Sequence, residues 1–267
     1  MRRNASLLFV IGSLILGGGL AEARKAPPRR APPPREEVNK QASAAIDGLV
    51  GAYKFGITPE VVVKLVSERF QKEYIDKIRK AQGQPLKQDR LRDEQAEQIN
   101  KVRKSLTKFD GRRTGWDSSI IDDQFKHNNN ESLVVDLEKE KQRFFFFHHG
   151  KLYKQFIAFN ADHPNYKGLN FPQFLGILIK TFGQGEPVFA KDAAGNSKIH
   201  HVLWKGAGKV AMWAIDKTTI YGNFCLVIYD SEVEGTVEEG RKASGSSRPA
   251  VDPLIDSVTK PRREDEY

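Results

Sequence analysis

Arg143-Phe-Phe-Phe-Phe-His-His-Gly-Lys-Leu-Tyr-Lys-Gln-Phe-Ile-Ala-Phe159 is the stretch whose reading decides the fold of this chain. Two aromatic and apolar runs flank His149-Gly150, and glycine supplies the positive φ that a tight two-residue turn requires. The stretch therefore reads as a β-hairpin. Successive strand side chains point to opposite faces. Four consecutive phenylalanines thus put rings on both faces of a sheet, so that both faces are covered or one is an interaction surface.

Working outward toward the C-terminus, residues 161–170 form a polar loop with Pro164 and Gly168. Asn170 then caps a helix over Phe171 to Phe182, which places Phe171, Phe174, Leu175, Leu178 and Phe182 on one face and stops at Gly183. Gln184-Gly185-Glu186-Pro187 reads as a turn. Strands follow over Ile199–Trp204, Lys209–Ile215 and Thr219–Tyr229, joined at Gly206-Ala-Gly208 and at Asp216-Lys217. On the other side of the hairpin, Ser132 to Leu137 is a further strand candidate. Short links on both sides of one helix predict an antiparallel sheet of five or six strands with that helix packed on it. The sheet domain spans residues 112–231, and the fold class is α+β.

Further upstream the apolar period changes to that of helices. Glu36 to Val50 reads as a short helix. Thr58 and Pro59 open a second, where Val63, Val66, Phe70 and Tyr74 recur every three or four residues as far as about Ala81. Gly83-Gln84-Pro85 breaks it. Ile99, Val102, Leu106 and Phe109 continue the pattern in another helix that closes at Gly111. Residues 36–111 are thus expected to form a helical hairpin region ahead of the sheet.

The ends carry a different message. Arg2 and Arg3, the apolar run from Leu7 to Leu16 and Ala21-Glu22-Ala23 are the three parts of a secretory signal peptide, expected over residues 1–23. The run is too short for a comfortable membrane span, which takes roughly 20 apolar residues. The chain left after cleavage is therefore not expected to be integral to a membrane. Residues 24–35 form a basic, proline-rich linker, and residues 232–267 read as an acidic, then Gly/Ser/Pro-rich, disordered tail. Cys225 is the only cysteine and lies in an apolar run, so no internal disulfide is expected and it reads as a small buried hydrophobe. From these features the protein is expected to be exported, to the periplasm or the extracellular space, with a Gram-negative bacterial envelope as the expected setting.

The formal charge of +9 is unevenly spread. Residues 64–108 hold 13 basic and 7 acidic side chains, whereas residues 109–267 hold 21 and 22. Export and the lack of any nucleic-acid motif argue against nucleic acid as the partner. The expected binding face comprises Lys72, Lys77, Arg79, Lys80, Arg90, Arg92, Lys101, Arg103 and Lys104. Its partner is expected to be an envelope protein, an anionic polymer or a lipid surface.

Phe55-Gly-Ile-Thr-Pro-Glu-Val-Val62, followed by the aromatic hairpin of Phe144 to Phe159, resembles small exported bacterial envelope proteins. The small lipoprotein of the outer-membrane barrel-assembly machinery is an example. The resemblance covers residues 55–62 and 144–159 and implies a non-catalytic envelope protein. This chain departs from it in lacking a lipidated cysteine and in adding the charged helical hairpin, a helix and three strands. No binding residue is carried over.

Other residues raise chemistry that the surrounding pattern weakens. Histidines pair at His148-His149 and His200-His201, but neighbours in a strand face opposite ways, so each pair offers at most one ligand to a metal site. A site from His148 with His200 or His201 requires neighbouring strands. Asp117, Asp122, Asp123, His127 and Glu131 gather acid–base groups in one segment, without calcium-loop spacing, around turn-forming Asn128-Asn-Asn130. Trp116 and Phe125 are its expected core anchors. There is no Gly-x-Ser-x-Gly elbow and no complete dinucleotide fingerprint. Trp204 and Trp213 read as packing residues. No catalytic residue, metal ligand or cofactor is assigned. The preferred reading is a non-enzymatic envelope protein binding through the basic helical face or sheet aromatics. Its alternatives are a metal-dependent hydrolase built on residues 117–131 and a lipid or small-molecule carrier with a half-barrel cavity beneath the Phe171–Phe182 helix.

Overall fold

The computed structural model describes residues 35–243, except 139, 161, 192–194, 196 and 207. The expected signal segment, residues 24–34 of the expected linker and residues 244–267 of the expected tail lie outside the described residues. All described residues belong to one compact unit.

Among the described residues there are six helices: α1 (Arg35–Val50), α2 (Pro59–Lys80), α3 (Pro85–Lys104), α4 (Phe171–Phe182), α5 (Thr218–Tyr221) and α6 (Ser231–Ala243). The strands are β1 (Thr107–Lys108), β2 (Glu131–Leu137), β3 (Lys141–His148), β4 (Lys151–Phe159), β5 (Glu186–Lys191), β6 (Ser197–Lys205), β7 (Val210–Lys217) and β8 (Asn223–Asp230). They form one sheet in the order β1-β2-β3-β4-β8-β7-β6-β5, with every neighbouring pair antiparallel.

This corrects the expected five or six strands to eight, and the single packed helix to several. The apolar spacing through Phe109 suggested a longer α3, but the helix ends at Lys104 and the chain turns extended to pair Thr107 with Leu133. Glu186-Pro187 belongs to β5 and not to a turn. Proline is accepted there because β5 is the sheet edge, where one side of the strand has no ladder to complete. The expected disorder from residue 232 is also corrected. Val233 and Val237, four apart, turn one side of α6 onto the sheet, and Val237 is fully buried.

The aromatic hairpin forms as its sequence dictates. His149 and Gly150 both have positive φ, at 48° and 71°, as a two-residue hairpin turn of primed type needs. Val134 opposes Phe145, Leu133 opposes Phe146 and Val135 opposes Phe144, which fixes the register of β2 on β3. Phe144 through Phe147 are all at 0% exposure, so both sheet faces are covered and the run is core. Phe144 and Phe146 pack beneath the segment 109–130 and α6, with Phe109, Ile121, Phe125 and Val237. Phe145 and Phe147 pack under Val62, Val66, Phe70 and Tyr74 of α2 and Val102 of α3. On that same face, farther along the sheet, α1 and α4 cover β6 to β8 through Ala42, Ile46, Phe174 and Leu178.

The helix ends explain their own positions. Asn170 accepts from the Gln173 backbone N–H while the Gln173 side chain accepts from the Asn170 N–H, a reciprocal capping box, and Gly183 ends α4 at φ 74°. At α2, Thr58 occupies the N-cap position and Pro59 the first turn, yet the threonine hydroxyl makes no bond to the helix N–H groups. Glu60 takes up that role. Its carboxylate is held below the usual range by the Thr58 hydroxyl and by its own backbone N–H.

Candidate functional site

The base of the α2–α3 hairpin is fixed to the sheet and its far end is not. Val62, Val66 and Phe70 are buried against β2 and β3, whereas Val102, in the last turn, is the one buried residue of α3. Toward the turn the two helices bond chiefly to each other, with Gln95 donating to Phe70 O at 3.3 Å and Gln88 to Ile78 O at 3.3 Å. All nine expected cations, Lys72, Lys77, Arg79, Lys80, Arg90, Arg92, Lys101, Arg103 and Lys104, are exposed. Four pair within their own helix: Arg79 with Asp76 at 3.3 Å, Arg90 with Glu94 at 3.2 Å, Arg92 with Asp89 at 2.7 Å and Lys101 with Glu97 at 2.7 Å. Lys77 lies 4.3 Å over the Tyr74 ring, and Lys72, Lys80, Arg103 and Lys104 make no ion pair with a described residue. Exposed pairs of this kind contribute little to stability and exchange readily for external anions.

The acidic and histidine segment does not assemble into one site. His127 is buried, with Nε2 at 2.6 Å from Asp117 Oδ1 and Nδ1 accepting the Gly111 N–H at 3.2 Å. The Gly111 bond places the proton on Nε2, so both ring nitrogens are engaged and neither faces a substrate. Burial disfavours the Asp117 carboxylate, but bonds from His127 and Thr114 outweigh it and hold its pKa below the usual range. Asp122 and Asp123 are exposed, and Asp123 pairs with Lys217 at 2.8 Å. Glu131 instead pairs with Arg241 of α6. Trp116 and Phe125 do anchor the segment: Phe125 stacks on Phe109 at 3.7 Å and Trp116 meets Phe144 edge-on at 5.6 Å.

His148 lies on β3 and His200 and His201 on β6, with β4, β8 and β7 between them. Four strand spacings are about 19 Å, so the paired-strand metal site is excluded. Among the described residues no group of three or more His, Cys, Asp or Glu could hold a metal ion. Trp204 is buried and donates its indole N–H to Gly183 O at 2.9 Å, while half-buried Trp213 sits 5.0 Å from His201 and 5.1 Å from Tyr229 in a row across β6, β7 and β8. The space under α4 is filled: Phe174 is fully buried and stacks on Phe224 at 4.6 Å, which speaks against a carrier cavity there. Cys225 is buried, and burial pushes its thiol pKa far up.

Sequence reading missed a buried polar network under α6. Arg241 donates from Nε to Glu131 Oε1 at 2.9 Å and from Nη2 to Glu131 Oε2 at 2.6 Å, and Tyr153 OH donates to the same carboxylate at 3.0 Å. Lys154, itself buried, donates to Gln124 O at 2.8 Å and to Glu234 at 3.2 Å. Burial raises the Glu131 pKa, but Arg241 overrides it and the carboxylate stays depressed; burial lowers that of Lys154. An open cleft of about 770 Å³ lies at the start of α2, lined by Thr58, Glu60, Lys108, Asp110, Asn128 and His149 among others. Its lining mixes charges of both signs and singles out no chemistry.

No protein-family model matches the chain, and no curated protein is significantly similar to it. A cysteine-rich secretory protein from Staphylococcus aureus subsp. aureus Mu50 aligns at 8% identity over 41% of this chain and 39% of that chain, with a TM-score of 0.25. The chain thus spans about two fifths of that protein's length, and a likeness this low carries no argument. No helix among the described residues is long and apolar enough to cross a membrane.

Proposed function

We propose that this chain is an exported, non-enzymatic protein of a Gram-negative envelope that binds another envelope component through the basic face of the α2–α3 hairpin. The observation that carries this reading is the exposure of all nine cations on a hairpin whose base is already packed on the sheet through Val62, Val66, Phe70 and Val102. Folding therefore does not consume the charge, and five of the nine have no acidic partner within the described residues. The sequence pattern of residues 1–23 and the resemblance at residues 55–62 and 144–159 support the envelope setting. The closed Asp117–His127 pair gives the segment 117–131 a structural role and lends no support to hydrolysis. The partly buried row of His201, Trp213 and Tyr229 is the sheet-aromatic surface that remains for a secondary contact.

Crosslinking from native envelopes, followed by pull-down, tests the proposal. Reversing charge at Arg79, Lys80, Arg103 and Lys104 to glutamate is expected to lose a specific crosslinked partner while circular dichroism stays unchanged. Retention of every partner by that variant overturns the reading.

A further inference from the structure

Residues 72–92, the distal part of the hairpin, carry seven basic and three acidic side chains. Two large apolar side chains stand among them in water: Leu86 is 89% exposed and Ile75 56% exposed. Neither belongs to any of the hydrophobic clusters that hold the fold. Their placement is regular. Lys72 and Arg79 stand three residues before and four after Ile75, on one face of α2, and Arg90 stands four after Leu86 on α3. Pro85 starts α3 and puts Leu86 in the first turn, at the extremity of the hairpin. Apolar tips ringed by long cationic side chains match one chemistry in particular. The tips gain by leaving water for an acyl boundary, while lysine and arginine stems extend their charges back to anionic headgroups.

We propose that the end of the hairpin seats on an anionic lipid surface, with Leu86 and Ile75 entering the interface and Lys72, Arg79, Lys80 and Arg90 meeting the headgroups. This rests on the reading that the hairpin's basic face binds an envelope component, and it names that component. A polysaccharide of the envelope satisfies the charges but offers no apolar interior for Leu86 and Ile75. Each cation adds a modest, screened attraction and each apolar tip a small buried area, so the contact is reversible and salt-sensitive.

The test uses the full chain with a polarity-sensitive fluorophore on Leu86→Cys, since Cys225 is buried and does not compete for label. A second protein carries the same label on Gln184→Cys, an exposed position between α4 and β5. Vesicles of phosphatidylglycerol and phosphatidylcholine are compared with phosphatidylcholine alone. The expected result is a blue shift of the label at position 86 with anionic vesicles only, absent at position 184. It should disappear at about 1 M salt, where the screening length is about 3 Å. It should also disappear when Arg79, Lys80 and Arg90 are changed to glutamate, and Ile75→Ser should weaken vesicle binding several-fold. Binding through any other part of the chain leaves position 86 in water, and a shift of equal size at positions 86 and 184 counts against the proposal. No shift at position 86, or an equal shift with neutral vesicles, overturns it. If the shift is absent while charge reversal still loses a crosslinked protein partner, the lipid inference fails and the basic-face reading stands. If charge reversal changes neither, both fail.

Discussion

Arg69 offers one guanidinium to three carboxylates: Asp136 at 2.8 and 2.9 Å, Glu138 at 3.0 Å and Glu73 at 3.4 Å. Asp136 is the buried one, at 1% exposure. Burial pushes its pKa up to about 6; Arg69 pulls the other way, Glu138 adds repulsion, and Arg143 and Lys141 give smaller relief. The folded pKa thus lies above the unfolded 3.8, so the fold favours the protonated acid. The stability this brings is complete below about pH 4 and is lost as pH rises through about 6, a change of the order of 3 kcal/mol. Asp136→Asn should remove that component, so that the difference between wild-type and variant stability in urea changes between pH 4 and pH 7; a constant difference contradicts it. Ser105 gives a second case. Two residues before β1 begins, its hydroxyl accepts the Val135 N–H at 2.9 Å and so stands in for a missing strand. Ser105→Ala leaves that buried N–H unpaired and is expected to cost about 1–3 kcal/mol by denaturant unfolding.

Helix α6 shows what an element can hide in its composition. Ser231-Glu-Val-Glu-Gly-Thr-Val-Glu-Glu-Gly-Arg-Lys-Ala243 has two glycines and four glutamates, and alone it is a poor helix. Its place on the sheet comes from Val237 and from the pairs Arg241–Glu131 and Lys154–Glu234. Removing one partner of a buried pair strands the other charge, which costs about 3–5 kcal/mol. Arg241→Ala should therefore free the amides of residues 231–243 in hydrogen exchange, or lower global stability by that amount. The double change Arg241→Met with Glu131→Leu should recover much of the loss. Equal exchange in wild type and Arg241→Ala would dismiss this account. Nothing in the sequence pairs residues 110 apart, so α6 read as a tail. The two-residue β1 and the proline-bearing β5 were equally invisible, because each is recognised as a strand only through its neighbour. The β3–β4 turn and the α4 caps were legible because each is local chemistry: a glycine at positive φ, an asparagine three residues before a glutamine.

At the scale of the molecule, the exposure of the nine hairpin cations was readable in the sequence and the pairing of the acid–base segment was not. Charges on a helix exterior keep the positions that the 3.6-residue period gives them, and no tertiary contact reassigns them. In residues 117–131 the groups are drawn apart: His127 closes on Asp117 within the segment, Asp123 pairs with Lys217 of β7 and Glu131 with Arg241 of α6. The same topology grades stability along the hairpin. Val62, Val66 and Phe70 are buried on the sheet, so the first turns of α2 should open only with the global unfolding of the core. Residues 75–97 include no buried side chain except Ala81, and in water they are expected to exchange amide protons many-fold faster than residues 62–70. Anionic vesicles should slow exchange at residues 75–90 and leave residues 62–70 and the sheet unchanged. Uniform protection along α2 in water would mean that the hairpin is rigid to its tip, and this gradient would then be wrong. Slowing of the sheet as well would indicate that the vesicles engage a different surface.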